Sequence, residues 1–239
     1  MCSDKVLEFG GRALVQDIVT GKRVLEVGAR IVQDPAMSLR HHAQALSPAA
    51  YVGVDMMPGI GVDELCSATA LVDRYGRDAF DVVLSTELME HVEDWQAMVR
   101  NFKQVVKPGG LLLLTTRSEG FPYHGWPCDY WRFSFEDMAA LFADFDILAL
   151  EKDPKEPGVF LFARKPLDYT ERTPDLVLYS IIARRRTPRV GRLRRLCFLG
   201  LLGARRTYIR IVPERARMAL NRLLGRGSRS GSAATLPTP

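Results

Sequence analysis

Cysteine is scarce and scattered in this chain. Its four cysteines, Cys2, Cys66, Cys128 and Cys197, form no CxxC pair, which argues against a disulfide framework and a cysteine-rich zinc site and suits a reducing compartment. Long hydrophobic runs are missing as well: Leu176–Ala183 and Leu196–Ala204 fall well short of the roughly 18 residues needed to cross a bilayer. The opening residues lack a basic segment followed by an apolar stretch, so no secretory signal is expected, and a cytoplasmic location is. There is no internal repeat, and no metal site is expected. What is present is ordinary for a soluble globular protein: 239 residues, 47% hydrophobic and 26% charged, enough for one sizeable core with length to spare.

Acidic residues run out late in the chain. Residues 1–163 hold 15 Lys+Arg against 24 Asp+Glu, whereas residues 164–239 hold 18 against 4. This asymmetry predicts an acidic folded domain over 1–165, a basic helical extension over 166–227 and a disordered tail over 228–239. Between Arg184 and Arg229 there are fifteen arginines, no lysine and one acid, Glu214. Two segments there have helical patterning, Arg192–Gly203 and Glu214–Leu224. A basic amphipathic helix of this kind has three candidate partners: an anionic membrane surface, the acidic domain or a second subunit, and nucleic acid. Nucleic acid is the least favoured, because no base-reading motif accompanies the arginines. The oligomeric state is left open.

The first 165 residues alternate strand and helix. Asp4–Thr20 is patterned for one or two helices. Short apolar runs predict strands over Arg23–Gly28, Tyr51–Asp55, Val62–Cys66, Phe80–Ser85, Leu111–Thr116, Phe145–Leu150 and Val159–Ala163, the last two as neighbours. Helices are expected over Met37–Leu46, Ala68–Tyr75, from the N-cap Asp94 to the Lys107-Pro-Gly-Gly stop, and over Phe135–Phe142 opened by Ser134. The fold class is therefore α/β: a doubly wound, mainly parallel, seven-stranded sheet with a basic helical tail. Ligands of such sheets bind at the carboxyl ends of the strands, where strand order reverses.

Those ends carry Glu26 and Gly28, Asp55, and Ser85-Thr86-Glu87. A glycine admits a ligand close to the backbone, and carboxylates suit an ammonium or vicinal hydroxyls; the alternative for Glu26 and Asp55 is a solvated strand-end carboxylate. VLEVGAR, YVGVD, FDVVLSTELMEHV and VVKPGGLLLLTTR, in that order, resemble the successive motifs of class I S-adenosylmethionine (SAM)-dependent methyltransferases, particularly the type 11-like branch. The resemblance covers about residues 5 to 165 and implies SAM as cofactor. It further implies that Gly28 lies beneath the methionine part with Glu26 near its amino group, and that Asp55 binds the ribose. Ser67 and Ala68 would lie beside the adenine, with Thr86 and Glu87 near the donor centre. Two positions depart from the family: Arg30 and Val32 replace the later glycines of its GxGxG loop, and serine stands at 67 where many relatives carry an acid. Glu90-His91 opens the region after the fourth strand, and His91 reads equally as a packed or capping histidine and as a catalytic one.

Methyl transfer needs in-line alignment, and a hydroxyl acceptor needs a base. His41 and His42 are expected to face solvent. His124, in the aromatic loop FPYHGWPCDYWRF, is the candidate base, with Asp129, Tyr130 and Arg132 orienting it or the acceptor. The alternative is a packed lid containing an Asp129–Arg132 ion pair. The activity this supports is methylation of a small molecule or glycan, oxygen favoured. The alternatives are a methyltransferase-fold scaffold or membrane-surface protein with weak or lost catalysis, and a nicotinamide-dependent oxidoreductase, disfavoured because GxGxxG is absent.

Overall fold

The computed structural model describes residues 3–32, 38–125 and 128–211, with backbone alone for 204–211. The chain divides into two units, Met1–Pro188 and Arg189–Pro239. The first opens with α1 (Asp4–Ala13) and α2 (Gln16–Val19). It continues through β1 (Arg23–Val27), α3 (Leu39–Ala45), β2 (Ala50–Asp55), β3 (Glu64–Leu65), α4 (Leu71–Tyr75), β4 (Phe80–Thr86), a 3-10 turn at Met89–His91, α5 (Trp95–Val105) and β5 (Val106–Arg117). Then follow β6 (Trp131–Arg132), α6 (Phe135–Leu141), β7 (Asp146–Lys152), β8 (Gly158–Arg164), β9 (Leu178–Ser180) and β10 (Arg185–Thr187).

The main sheet has seven strands in the order β3-β2-β1-β4-β5-β8-β7. The first five run parallel, and β8 lies antiparallel between β5 and β7, so the predicted late strands do pair. Strand order reverses beside β1, with β2 on one side and β4 on the other. Because side chains alternate across a strand, Val24, Val82, Leu84 and Leu113 meet Val6, Phe9, Leu14 and Leu39 on one face. In α5 the predicted stripe of Trp95, Met98, Val99, Phe102 and Val105 is buried, and Asp94 caps the helix by accepting from the Ala97 N–H at 3.0 Å. The Lys107-Pro-Gly-Gly segment ends that helix and bulges the sheet, Phe80 pairing with Val106 but Val82 with Leu111. Ser134 and Asp137 make a reciprocal capping box at the start of α6.

Two expectations change. The first unit does not stop near residue 165 but runs to Pro188. The physical reason is β-pairing: β9 is hydrogen-bonded between β6 and β10 in a second, three-stranded sheet, and Leu178 and Ser180 are wholly buried. Charge composition shifts earlier than packing does. The predicted helix from Arg192 is longer than expected, α7 spanning Arg192–Ile211 in the second unit. The second predicted helix, Glu214–Leu224, and the tail 228–239 lie outside the described residues. Among the described residues, no helix is long and apolar enough to cross a membrane.

Candidate functional site

The reversal point gathers the predicted strand tips. Glu26 is level with Gly53 and Val27 with Val54, so Gly28, just after β1, and Asp55, the last residue of β2, stand at the same end of the sheet. By the two-residue period, Glu26, Gly53 and Asp55 share one face at that end of the sheet. Gly28 has φ +81, and a Cβ there would stand 3.0 Å from the Leu88 Cβ, which only glycine tolerates without strain. The Gly28 and Ala29 N–H groups both donate to the Val54 carbonyl, at 2.8 and 3.0 Å. Asp55 is half-buried and its Oδ1 accepts from the Met57 N–H at 2.9 Å. Ser67 and Ala68 follow β3; the Ser67 hydroxyl lies 2.9 Å from that of Thr69, and Ala68 is buried.

Glu26 has partners that sequence reading did not find. Tyr51 donates its hydroxyl to Glu26 Oε2 at 2.7 Å. Arg40 stacks over the Tyr51 ring and donates to the Gly61 carbonyl at 2.7 Å and to both oxygens of Asp63 at 2.9 and 3.0 Å. Burial pushes the Glu26 carboxyl up to about 7, against the opposing effects of the Tyr51 hydrogen bond and the Arg40 charge. The strand period carries a partial signal for this contact, since Tyr51 and Gly53 fall on one face; nothing in the pattern brings in Arg40. The loop without its later glycines takes its own path: the Ile31 N–H donates to the Ile60 carbonyl at 2.9 Å, and the Arg30 side chain lies along Gly59.

A second cluster forms beyond Leu88, at the tips of β4 and β5. Thr86 is half-buried beside Thr115. Glu87, at φ +56, is buried; it accepts from the Thr115 hydroxyl at 3.0 Å and pairs with the Arg117 Nε. Glu90 is completely buried, its Oε2 accepting from the Thr116 hydroxyl at 3.0 Å. Its Oε1 has no hydrogen-bond partner and lies 3.4 Å from His124 Nε2 and 4.0 Å from His91 Nε2. Burial favours a neutral Glu90, but the adjacent His124 and His91 hold it below the usual carboxylate range. Glu87 is pushed up by its burial and then by the Glu90 charge.

His124, Asp129 and Arg132 come together as expected. His124 Nδ1 lies 3.0 Å from Asp129 Oδ2, and Arg132 grips both Asp129 oxygens at 2.5 and 2.7 Å. The Asp129–Arg132 ion pair expected of a packed lid is present, and His124 rests against it. Burial disfavours the charged imidazole, yet Asp129 and Glu90 outweigh it and hold His124 at about 9. Burial likewise opposes a charged Asp129, but Arg132 and His124 keep it below the ordinary range. Tyr130 works elsewhere, its hydroxyl donating to Glu93 at 3.2 Å and its N–H to the Glu90 carbonyl at 2.8 Å. His41 and His42 are exposed. Glu90, given no role in the sequence reading, is the buried centre of this cluster.

The comparisons with known proteins agree with this geometry. Residues 2–147 match a family model described as a methyltransferase domain. A ubiquinone biosynthesis O-methyltransferase of Parvibaculum lavamentivorans is 32% identical over 66 residues, 28% of this chain and 26% of that protein. One from Chromobacterium violaceum is 29% identical over 111 residues, 41% and 45% of the two chains. These matches span about a quarter to a half of those relatives' length. Among solved structures, Burkholderia thailandensis 1,6-didemethyltoxoflavin-N1-methyltransferase, with bound 1,6-didemethyltoxoflavin and S-adenosylhomocysteine, superposes with a TM-score of 0.52 at 15% identity, over 68% of this chain and 80% of that one. That likeness is one of fold. The family match over more than half of the chain, the strand order and the glycine-floored reversal point coincide: this chain belongs to the class I SAM-dependent methyltransferases.

Proposed function

We propose that this chain transfers a methyl group to a hydroxyl oxygen of a small-molecule or glycan acceptor. The observation that carries the reading is the braced imidazole of His124, held by Asp129 and Arg132 next to buried Glu90, with Leu88 linking this cluster to the Gly28 floor. Relatives named as O-methyltransferases support oxygen as the acceptor atom and a small molecule as its carrier. The cofactor's fit rests on Gly28, where a Cβ would fill the cradle, and on two carboxylates at that end of the sheet. When bound, SAM supplies the activated methyl group.

In this reading the Gly28 backbone lies beneath the methionyl part, Glu26 takes its ammonium and Asp55 accepts from the ribose hydroxyls. Ser67 and Ala68 flank the adenine. Thr86 and Glu87 form the wall between donor and acceptor, Glu87 fixed there by Arg117. The acceptor's proton is lost at the cluster of Glu90, His91 and His124, with His124 Nε2 as the accepting atom and Asp129 and Arg132 as positioning residues. Two carboxylates bias the ring to its charged form, so His124 accepts a proton only after its own has left.

The His124→Ala variant is expected to lose about 10²–10⁴-fold in turnover on phenol, catechol or sugar-hydroxyl acceptors, while calorimetry finds its SAM affinity nearly unchanged. Full activity in that variant would remove His124 from the chemistry. The loop tied down by Ile60 and Arg30 favours one rival reading, a scaffold that has given up its cofactor. Absence of SAM binding even at millimolar concentration would establish it.

For the tail, the proposed partner is an anionic membrane surface, because α7 exposes Leu193, Leu196 and Leu201 among its arginines. Full-length protein is expected to sediment with phosphatidylserine vesicles and to be released by salt; equal sedimentation with neutral vesicles would contradict this.

A further inference from the structure

We propose that Glu90, His91 and His124 form a binding site for a divalent transition cation of the zinc class. One ligand atom from each of the three lies within 4.8 Å of the others. Glu90 sits in the 3-10 turn after β4 and its carboxylate is fully buried, with one oxygen fixed by Thr116 and the other, Oε1, lacking a hydrogen-bond partner. A buried carboxylate oxygen left bare is costly unless something cationic meets it.

The histidines are prepared in the same sense. His91 Nδ1 is 2.9 Å from the Cys128 carbonyl and His124 Nδ1 is 3.0 Å from an Asp129 oxygen. Both acceptors require the proton on Nδ1, which leaves Nε2 as the ligand atom of each ring, free on neutral His91 and freed on His124 when the cation displaces its proton. Both Nε2 atoms face Glu90 Oε1, at 4.0 and 3.4 Å. A histidine whose far nitrogen donates to a carbonyl or carboxylate is the usual arrangement of a metal ligand.

The alternative filling is a single proton shared with His124. It would leave His91 Nε2 still facing the carboxylate at a separation too long for a hydrogen bond. A cation answers both gaps. Bonds of about 2.0–2.1 Å in a tetrahedral site put ligand atoms about 3.3 Å apart, so the His124 contact is already at that spacing and the His91 contact closes to it by side-chain rotation. Two imidazoles with one carboxylate suit zinc-like ions better than calcium or magnesium. Three protein ligands also leave a position open, as catalytic sites do.

This deepens the proposed function and rests on it for its chemistry alone. A cation here displaces the His124 Nε2 proton to solvent, and His124, now a ligand, is replaced by the cation in promoting loss of the acceptor's proton. An acceptor hydroxyl at the open position loses its proton to solvent more readily.

The test is a titration of the full chain with Co²⁺, after chelation and desalting. One equivalent is expected to bind with the visible absorption of a four-coordinate site, and Zn²⁺ is expected to abolish that absorption by displacement. Asp129→Asn is expected to weaken Co²⁺ binding by about 10–100-fold. His91→Gln and His124→Gln should weaken it further, each checked for folding by its thermal transition. Absence of Co²⁺ and Zn²⁺ binding to the unaltered chain, or undiminished binding in both histidine variants, overturns the proposal. Methyl transfer that is undiminished in chelated protein, with no cobalt bound, defeats the cation and spares the methyltransferase reading. Cobalt binding without methyl transfer to any hydroxyl acceptor does the reverse.

Discussion

Replacing Arg132 with methionine is expected to lower the unfolding free energy by about 3–5 kcal/mol, which calorimetry would register as a fall in Tm of roughly 6–20 °C for a unit of this size. Arg132 is 1% exposed and Asp129 is fully buried. Besides both Asp129 oxygens, the guanidinium donates to the Trp131 carbonyl at 2.6 Å and the Pro122 carbonyl at 3.1 Å. Methionine fills part of the volume but leaves Asp129 charged and buried with only His124 to face. Most of the loss is therefore the desolvation of an abandoned carboxylate, not the worth of the pair. It follows that Asp129→Leu/Arg132→Met should recover most of the stability while turnover stays low, because His124 has lost its support. A single variant that unfolds within about 1 kcal/mol of the parent would mean that water reaches Asp129 once the arginine is gone.

The strands that build the cofactor side were legible because parallel strands buried on both faces read as continuous apolar runs ending in polar residues. Arg23–Val27, Ala50–Asp55 and Phe80–Thr86 all follow that rule, and Gly28, Asp55 and Thr86 stand at the expected ends. The α5 stripe and its Asp94 cap were legible for an equally local reason. The second sheet was not. Trp131–Arg132 is too short to show a period, and its pairing with β9 links residues separated by nearly fifty positions. The same long-range pairing explains the misplaced boundary at 165, where Lys165 is itself buried, donating to Asp78 and to the Val106 carbonyl at 2.7 Å each. Within the site, His124, Asp129 and Arg132 were findable because one loop holds them. Glu90 and Arg40 were hidden, since each acquires its partners from other elements: Thr116 and His124 for the one, Gly61 and Asp63 for the other.

Glu26 leads to the second large effect, one that sets stability against binding. Burial raises its carboxyl to about 7, above its value in an unfolded chain, so the folded protein holds the proton more tightly than the unfolded one does. The stability this group confers is therefore fully present below the unfolded pKa of about 4.3, and is lost as pH rises through the folded value near 7. Above that pH the buried charge costs up to about 4 kcal/mol. Glu26→Gln, which resembles the protonated acid at all pH, is expected to raise Tm at pH 8, to leave it nearly unchanged near pH 4.5, and to flatten the dependence between. Binding should respond in the opposite direction. An ammonium group beside Glu26 favours the ionised form, so SAM binding below pH 7 should release up to one proton, and affinity should fall by up to about tenfold for each unit of acidification in that range. Calorimetry in two buffers of different ionisation enthalpy measures that proton directly. In Glu26→Gln the release should vanish and affinity should drop by about 1.5–3 kcal/mol, the worth of a hydrogen bond to a charged group. A variant that gains stability at pH 8 yet binds SAM as tightly as before, with the proton still released, would place the methionyl ammonium away from β1.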